Sequence, residues 1–110
     1  MSVDLAVDLF YSKEDPMMAG RSAEDRNISE IGLGFSRVSA VSHYVERGAP
    51  HALSAERKFS LNFDLEFDAE GLRGFLYDCF PDIMAEERGR ALLAHIEPGR
   101  RYQVSTFDMS

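Results

Sequence analysis

Between Lys58 and Phe67 the chain alternates strictly, with Phe59, Leu61, Phe63, Leu65 and Phe67 apolar and Ser60, Asn62, Asp64 and Glu66 polar. Successive side chains of a β-strand point to opposite faces, so a period of two makes this stretch a half-buried strand. A helix would scatter the same apolar residues around its circumference. The fold must therefore supply a layer that covers the phenylalanine and leucine row.

The segments that follow can supply it. Asp68 is placed to cap a helix in which Leu72, Phe75, Leu76, Cys79 and Phe80 form one apolar stripe. Pro81 ends that helix, and Asp82 can cap a second one running to about Ile96. Glu86 and Glu87 near its start and His95 at its end suit the helix dipole. Glu97-Pro98-Gly99-Arg100 has proline and glycine in the two central places of a type II turn, and Tyr102, Val104 and Thr106 mark a final strand. Toward the start of the chain, Val3, Leu5, Val7, Leu9 and Tyr11 alternate as a first strand.

Ser12 to Asn27 is polar, holds Pro16 and Gly20, and reads as a loop; loops this long in small domains are functional or mobile. Asn27 and Glu30 have the spacing of a capping box, and Ile28, Ile31, Phe35, Val38 and Val45 share one helical stripe that stops at Gly48 and Pro50. A helix over 28–47 is the favoured assignment. Gly32 and Gly34 each weaken it by roughly 1 kcal/mol relative to alanine, and a short strand from Ile31 to Phe35 leading into a helix from Arg37 competes with it.

The predicted order is β-α-β-α-α-β, an α+β two-layer sandwich with a three-stranded mixed sheet and helices on one face. A single crossover helix makes the first two strands parallel neighbours, and two helices leave the third antiparallel to the second. The 110 residues carry no internal repeat or linker, which predicts one globular domain over 1–110.

The formal net charge is −7. It is concentrated in residues 59–87, where Asp64, Glu66, Asp68, Glu70, Asp78, Asp82, Glu86 and Glu87 face Arg73 alone. Phosphate backbones and anionic lipids attract basic patches, so this balance argues against direct binding of nucleic acid or a membrane surface. Cys79 is the single cysteine and cannot form an internal disulfide. Met1 to Tyr11 has no basic stretch ahead of its apolar residues, and no apolar run approaches bilayer length. Together these predict a cytoplasmic protein.

No pattern with catalytic or cofactor specificity emerges. Asp64, Glu66 and Asp68 are two residues apart, and carboxylates about 7 Å apart along a strand could bracket a divalent ion. They lack a nearby glycine-rich loop or lysine to hold a phosphate, so a solvated strand face accounts for them better. His43, His51 and His95 stand at no ligand interval from one another. Gly32-Leu33-Gly34 opens a dinucleotide fingerprint that Arg37 does not complete, and Cys79 sits on an apolar stripe as a buried thiol would. Met17 and Met18 beside Pro16 suit either an adaptable binding surface or closure of the core edge.

What remains is charge. With the first two strands adjacent, Asp4, Asp8, Asp64 and Glu66 share the open sheet face, and Asp68, Glu70, Asp78 and Asp82 extend the field around its margin. Phe10 and Met109 are candidate apolar anchors. The sequence thus points to a small acidic protein-binding module with no cofactor. It would be an inhibitor or neutraliser, of the kind seen in toxin immunity or phage anti-defence, occupying a basic site on a partner protein, such as one that binds nucleic acid. A metal-dependent phosphate-processing enzyme using Asp64 and Glu66 is the alternative from another class, and a structural subunit or homo-oligomer is the third.

Overall fold

The computed structural model describes residues 4–28, 35–59 and 62–108. In chain order these form β1 (Asp4–Tyr11), α1 (Ala23–Arg26), β2 (Phe35–Arg37), α2 (Val38–Glu46), β3 (Ser54–Phe59) and β4 (Asn62–Asp68). Then follow α3 (Ala69–Cys79), α4 (Pro81–Met84), α5 (Glu87–Ala94) and β5 (Arg101–Asp108). The class is α+β, as the alternation and the helical stripes require. The sheet differs from the expectation: it has five strands, in the order β2-β1-β5-β4-β3, and every ladder is antiparallel.

The two unforeseen strands are the edges, β2 and β3. The alternating run from Lys58 belongs to two strands, with Phe59 paired to Asn62 across the hairpin. Leu61 lies outside the described residues. The expected parallel pairing of the first and principal strands fails for one reason: β5 lies between β1 and β4. Both run in the same direction, and inserting β5 antiparallel to each makes two antiparallel ladders in place of one parallel one.

The helix assigned to 28–47 is likewise replaced. Phe35–Arg37 is strand, paired along the edge of β1 with Asp4 opposite Arg37, and the helix begins at Val38. Asn27 does not cap it; it ends α1 with extended backbone and bridges Phe10. Glu30 and Gly32-Leu33-Gly34 lie outside the described residues.

Cross-strand partners put Val7, Leu9, Phe63, Leu65, Phe67, Tyr102 and Val104 on one sheet face, all at most 2% exposed. Val41 and Tyr44 of α2, Leu72, Phe75, Leu76 and Cys79 of α3, Met84 of α4 and Leu92 of α5 close over them as one core. Phe75 is central, with ring centroids 5.1 Å from both Tyr44 and Phe67 and 5.9 Å from Phe80. The short α1 departs from the expected one-sided arrangement, because Ala23 and Arg26 line a groove on the opposite face.

Local signals behave as read around α3. The Asp68 carboxylate accepts from the Gly71 amide at 2.7 Å, and Gly99 has the positive φ of 82° that its turn demands. The second predicted helix is two: Pro81 opens α4, Ala85 and Glu86 intervene, and α5 starts at Glu87, so Asp82 is an exposed residue of α4 and caps nothing. Gly89 permits the sharp bend, since a Cβ there would lie 2.2 Å from the Ile83 carbonyl oxygen.

An alanine normally favours a helix by about 1 kcal/mol over glycine. Gly89→Ala should reverse that sign and cost about 1–3 kcal/mol, because backbone must move. Gly74→Ala should cost less, as its Cβ would meet the His51 ring at 2.7 Å and that exposed imidazole can swing away. Thermal melts of the two variants check this; a Gly89→Ala protein as stable as the parent would mean that α4 and α5 do not approach so closely.

The loop after β1 is pinned rather than free. Asp15 is fully buried; its carboxylate accepts from Arg100 Nε at 2.9 Å and from the Arg101 amide at 2.9 Å. The Arg100 guanidinium in turn lies 4.2 Å from the Tyr11 ring centroid.

Candidate docking surfaces

The face of the sheet opposite the core is built from Asp8 and Phe10 of β1, Gln103 and Ser105 of β5, Asp64 and Glu66 of β4, and Ser54 and Glu56 of β3, matched across the ladders. It therefore brings together four of the residues expected there, Asp8, Phe10, Asp64 and Glu66. Asp4 stands opposite Arg37 in the register, and Met109 lies outside the described residues.

Two of those carboxylates carry their own cations. Lys58 Nζ lies 2.7 Å from Asp64, and Arg101 Nη2 lies 2.8 Å from Glu66. Hydroxyls complete them: Ser105 Oγ donates to Asp64 at 2.9 Å, and Ser12 Oγ donates to Glu66. The Asp64 hydrogen bond raises the Lys58 pKa above its ordinary value. The open face is thus a mosaic of both signs. For a metal-dependent enzyme using Asp64 and Glu66, the same contacts mean that an incoming cation must displace Lys58 and Arg101. Asp68, the third carboxylate of that row, is spent on capping α3. Among the described residues no group of three or more His, Cys, Asp or Glu is disposed to hold a metal ion.

The remaining acids of residues 59–87 belong to the other side of the molecule. Glu70 and Asp78 of α3, Asp82 of α4, Glu86 and Glu87 all stand exposed on the helical layer. Asp78 lies 3.3 Å from His51 and Glu86 lies 2.7 Å from Arg88. Glu70, Asp82 and Glu87 have no cation partner among the described residues. Arg73, the lone base of this stretch, is turned inward and donates to the Ile96 carbonyl at 2.8 Å. Tyr77 projects from the same outer surface of α3, 53% exposed. Seven residues separate it from Glu70, which is two helical turns along one face.

The other side chains considered for chemistry have structural surroundings. Burial pushes the Cys79 thiol to a pKa of about 12, so a thiolate does not form at neutral pH. His43 is exposed and His95 terminates α5. Met17 is 70% exposed and Met18 half-buried.

Sequence reasoning missed the basic half of the open face, namely Lys13, Arg26, Lys58 and Arg101. The alternation of β5 does place Arg101, Gln103 and Ser105 on one face, but pairing Lys58 with Asp64 requires knowledge of the hairpin. Among the described residues no helix is long and apolar enough to cross a membrane. No protein-family model matches the chain, and no curated protein or solved structure matches it significantly.

Proposed function

We propose that this protein is a small acidic binding module that covers the basic surface of a partner protein and so inhibits or neutralises it. One observation carries the proposal: the unpaired acids of the most acidic segment, Glu70, Asp82 and Glu87, are exposed on the same helical layer that presents a half-exposed Tyr77. An aromatic anchor within a charged rim is the composition that gives protein interfaces both affinity and fast encounter. Basic grooves that hold nucleic acid are natural targets for such a field. The docking surface is accordingly the outer face of α3 and α4, because Asp64 and Glu66 are occupied by internal ion pairs.

Affinity capture with the native chain supplies the partner for the test. The variant Glu70→Lys with Asp82→Lys should associate severalfold more slowly at low ionic strength and converge toward the native rate as salt rises, with a fall in melting temperature of only a few degrees because both acids stand in the first turns of their helices. Equal association rates for native and reversed proteins across the salt series would reduce this surface to a solubility device.

A further inference from the structure

The groove beside α1 carries a charge opposite to that of the molecule. It has a volume of about 330 Å³ and is lined by three cations, Lys13, Arg26 and Lys58, and by one carboxylate, Asp64. That carboxylate is already taken by Lys58 at 2.7 Å and Ser105 at 2.9 Å. Lys13 and Arg26 have no carboxylate partner among the described residues.

Arg26 is the informative member. It is only 5% exposed, and its guanidinium donates to two neutral acceptors, the Tyr11 carbonyl at 3.1 Å and the Arg21 carbonyl at 3.4 Å. Taking a guanidinium out of water without a counter-charge is costly, and buried charges are ordinarily paired. In a chain of net charge −7 acids are plentiful, and the two beside it in sequence, Glu24 and Asp25, stand exposed. A positive hollow in such a protein is a local construction that a bound anion would complete.

We propose that this groove binds a phosphate monoester carrying a flat ring. The two uncompensated cations match the nearly double charge of a phosphate monoester at neutral pH, and guanidinium and ammonium groups are the usual donors to it. The half-buried Phe10 ring gives the flat body an apolar surface, and the Gln103 carbonyl oxygen is open to a donor on its edge. A volume of about 330 Å³ suits a ligand of that size. The adjoining hollow, which shares Lys13, Asp64 and Gln103 with the groove, adds Glu14, Glu56 and Glu66 and repels anions, which favours the Arg26 end for the phosphate. This site and the acidic helical surface lie on opposite sides of the sheet, so the failure of either reading leaves the other standing.

Uridine monophosphate and uridine are the probes, titrated into the full isotope-labelled chain and followed by amide chemical shifts. The nucleotide should give saturable shifts at Phe10, Lys13, Arg26 and Gln103, with uridine at least about tenfold weaker. Lys13→Glu, a change at an exposed position, should weaken nucleotide binding about fivefold or more and leave amides outside the groove unshifted. The proposal is overturned by a nucleotide that causes no saturable shift at those positions, by uridine binding equally well, or by a Lys13→Glu protein that binds like the parent.

Discussion

Phe75→Ala should lower the stability of the fold by about 3–5 kcal/mol, the range for removing a fully buried phenylalanine when its surroundings cannot collapse. Phe75 is completely buried and touches three other rings, Tyr44 of α2, Phe67 of β4 and Phe80 at the end of its own helix. Those elements are fixed by the sheet and by capping, so the cavity stays open. For a domain of this size the loss amounts to a fall in melting temperature of more than about 12 °C. Tyr77→Ala, two positions along the same helix but half-exposed, is the control and should stay within about 0.5 kcal/mol. If the Phe75→Ala transition moved by only a few degrees, the helical layer would not be seated on β4 as described.

Asp15→Ala is the second large effect, about 3 kcal/mol. Removing one partner of a buried ion pair strands the other, and Arg100 is only 12% exposed. The cost lies at the low end of the range for buried pairs because Arg100 keeps some solvent, its contact with Tyr11 and a second carboxylate, Glu97, 3.6 Å from its Nη1. The same carboxylate predicts a pH dependence. Burial pushes its pKa up, but the Arg100 hydrogen bond, the Arg101 amide, the Arg100 charge and the Met17 amide together outweigh that and hold it below the ordinary aspartate range. A carboxyl lowered in the folded state stabilises above its unfolded pKa of about 3.9, and the contribution disappears as pH falls through the lower folded value. Denaturant melts of native protein and Asp15→Ala should therefore differ fully near neutral pH and converge in strong acid. A constant difference from pH 7 to below pH 3 would show that the carboxylate is not the source.

The parts of this fold that could be read from residues are those where local chemistry and tertiary position agree. Asp68 caps α3, Leu72, Phe75 and Leu76 meet the sheet, and Pro98-Gly99 turns the chain into β5, because each rests on a few neighbouring residues. The edges were hidden for physical reasons. In β3 the polar and charged Ser54, Glu56, Arg57 and Lys58 are all exposed, so no alternation marks it as a strand. The alternation of Phe59 and Phe63 continues in phase across the hairpin, where neither glycine nor proline breaks it.

The surface was half legible for a related reason. Asp8, Asp64 and Glu66 were placed on the correct face although β5 was not expected between them, since an inserted strand preserves facing. Their neutralisation was not visible, because Lys58 and Arg101 reach them only across ladders. The positive groove depends on Arg26, whose burial comes from an α1 that the polar sequence Ala23–Arg26 does not announce.

The place of β5 in the sheet governs the order in which this molecule can be assembled. Residues before it can form two separate ribbons, β1 with β2 and β3 with β4, and nothing in the sheet joins them. Besides the outer edges of β2 and β3, which stay open in the finished sheet, each ribbon has an inner edge, on β1 and on β4, and both inner edges await the same strand. Within the sheet the two ribbons therefore stay unjoined until 101–108 pair with both, a non-local step that comes after every other described strand has been made, although α2 and α3 already meet in the layer above them. Until that moment the open edges of β1 and β4 are also the places where a second nascent chain can insert its own copy of the strand.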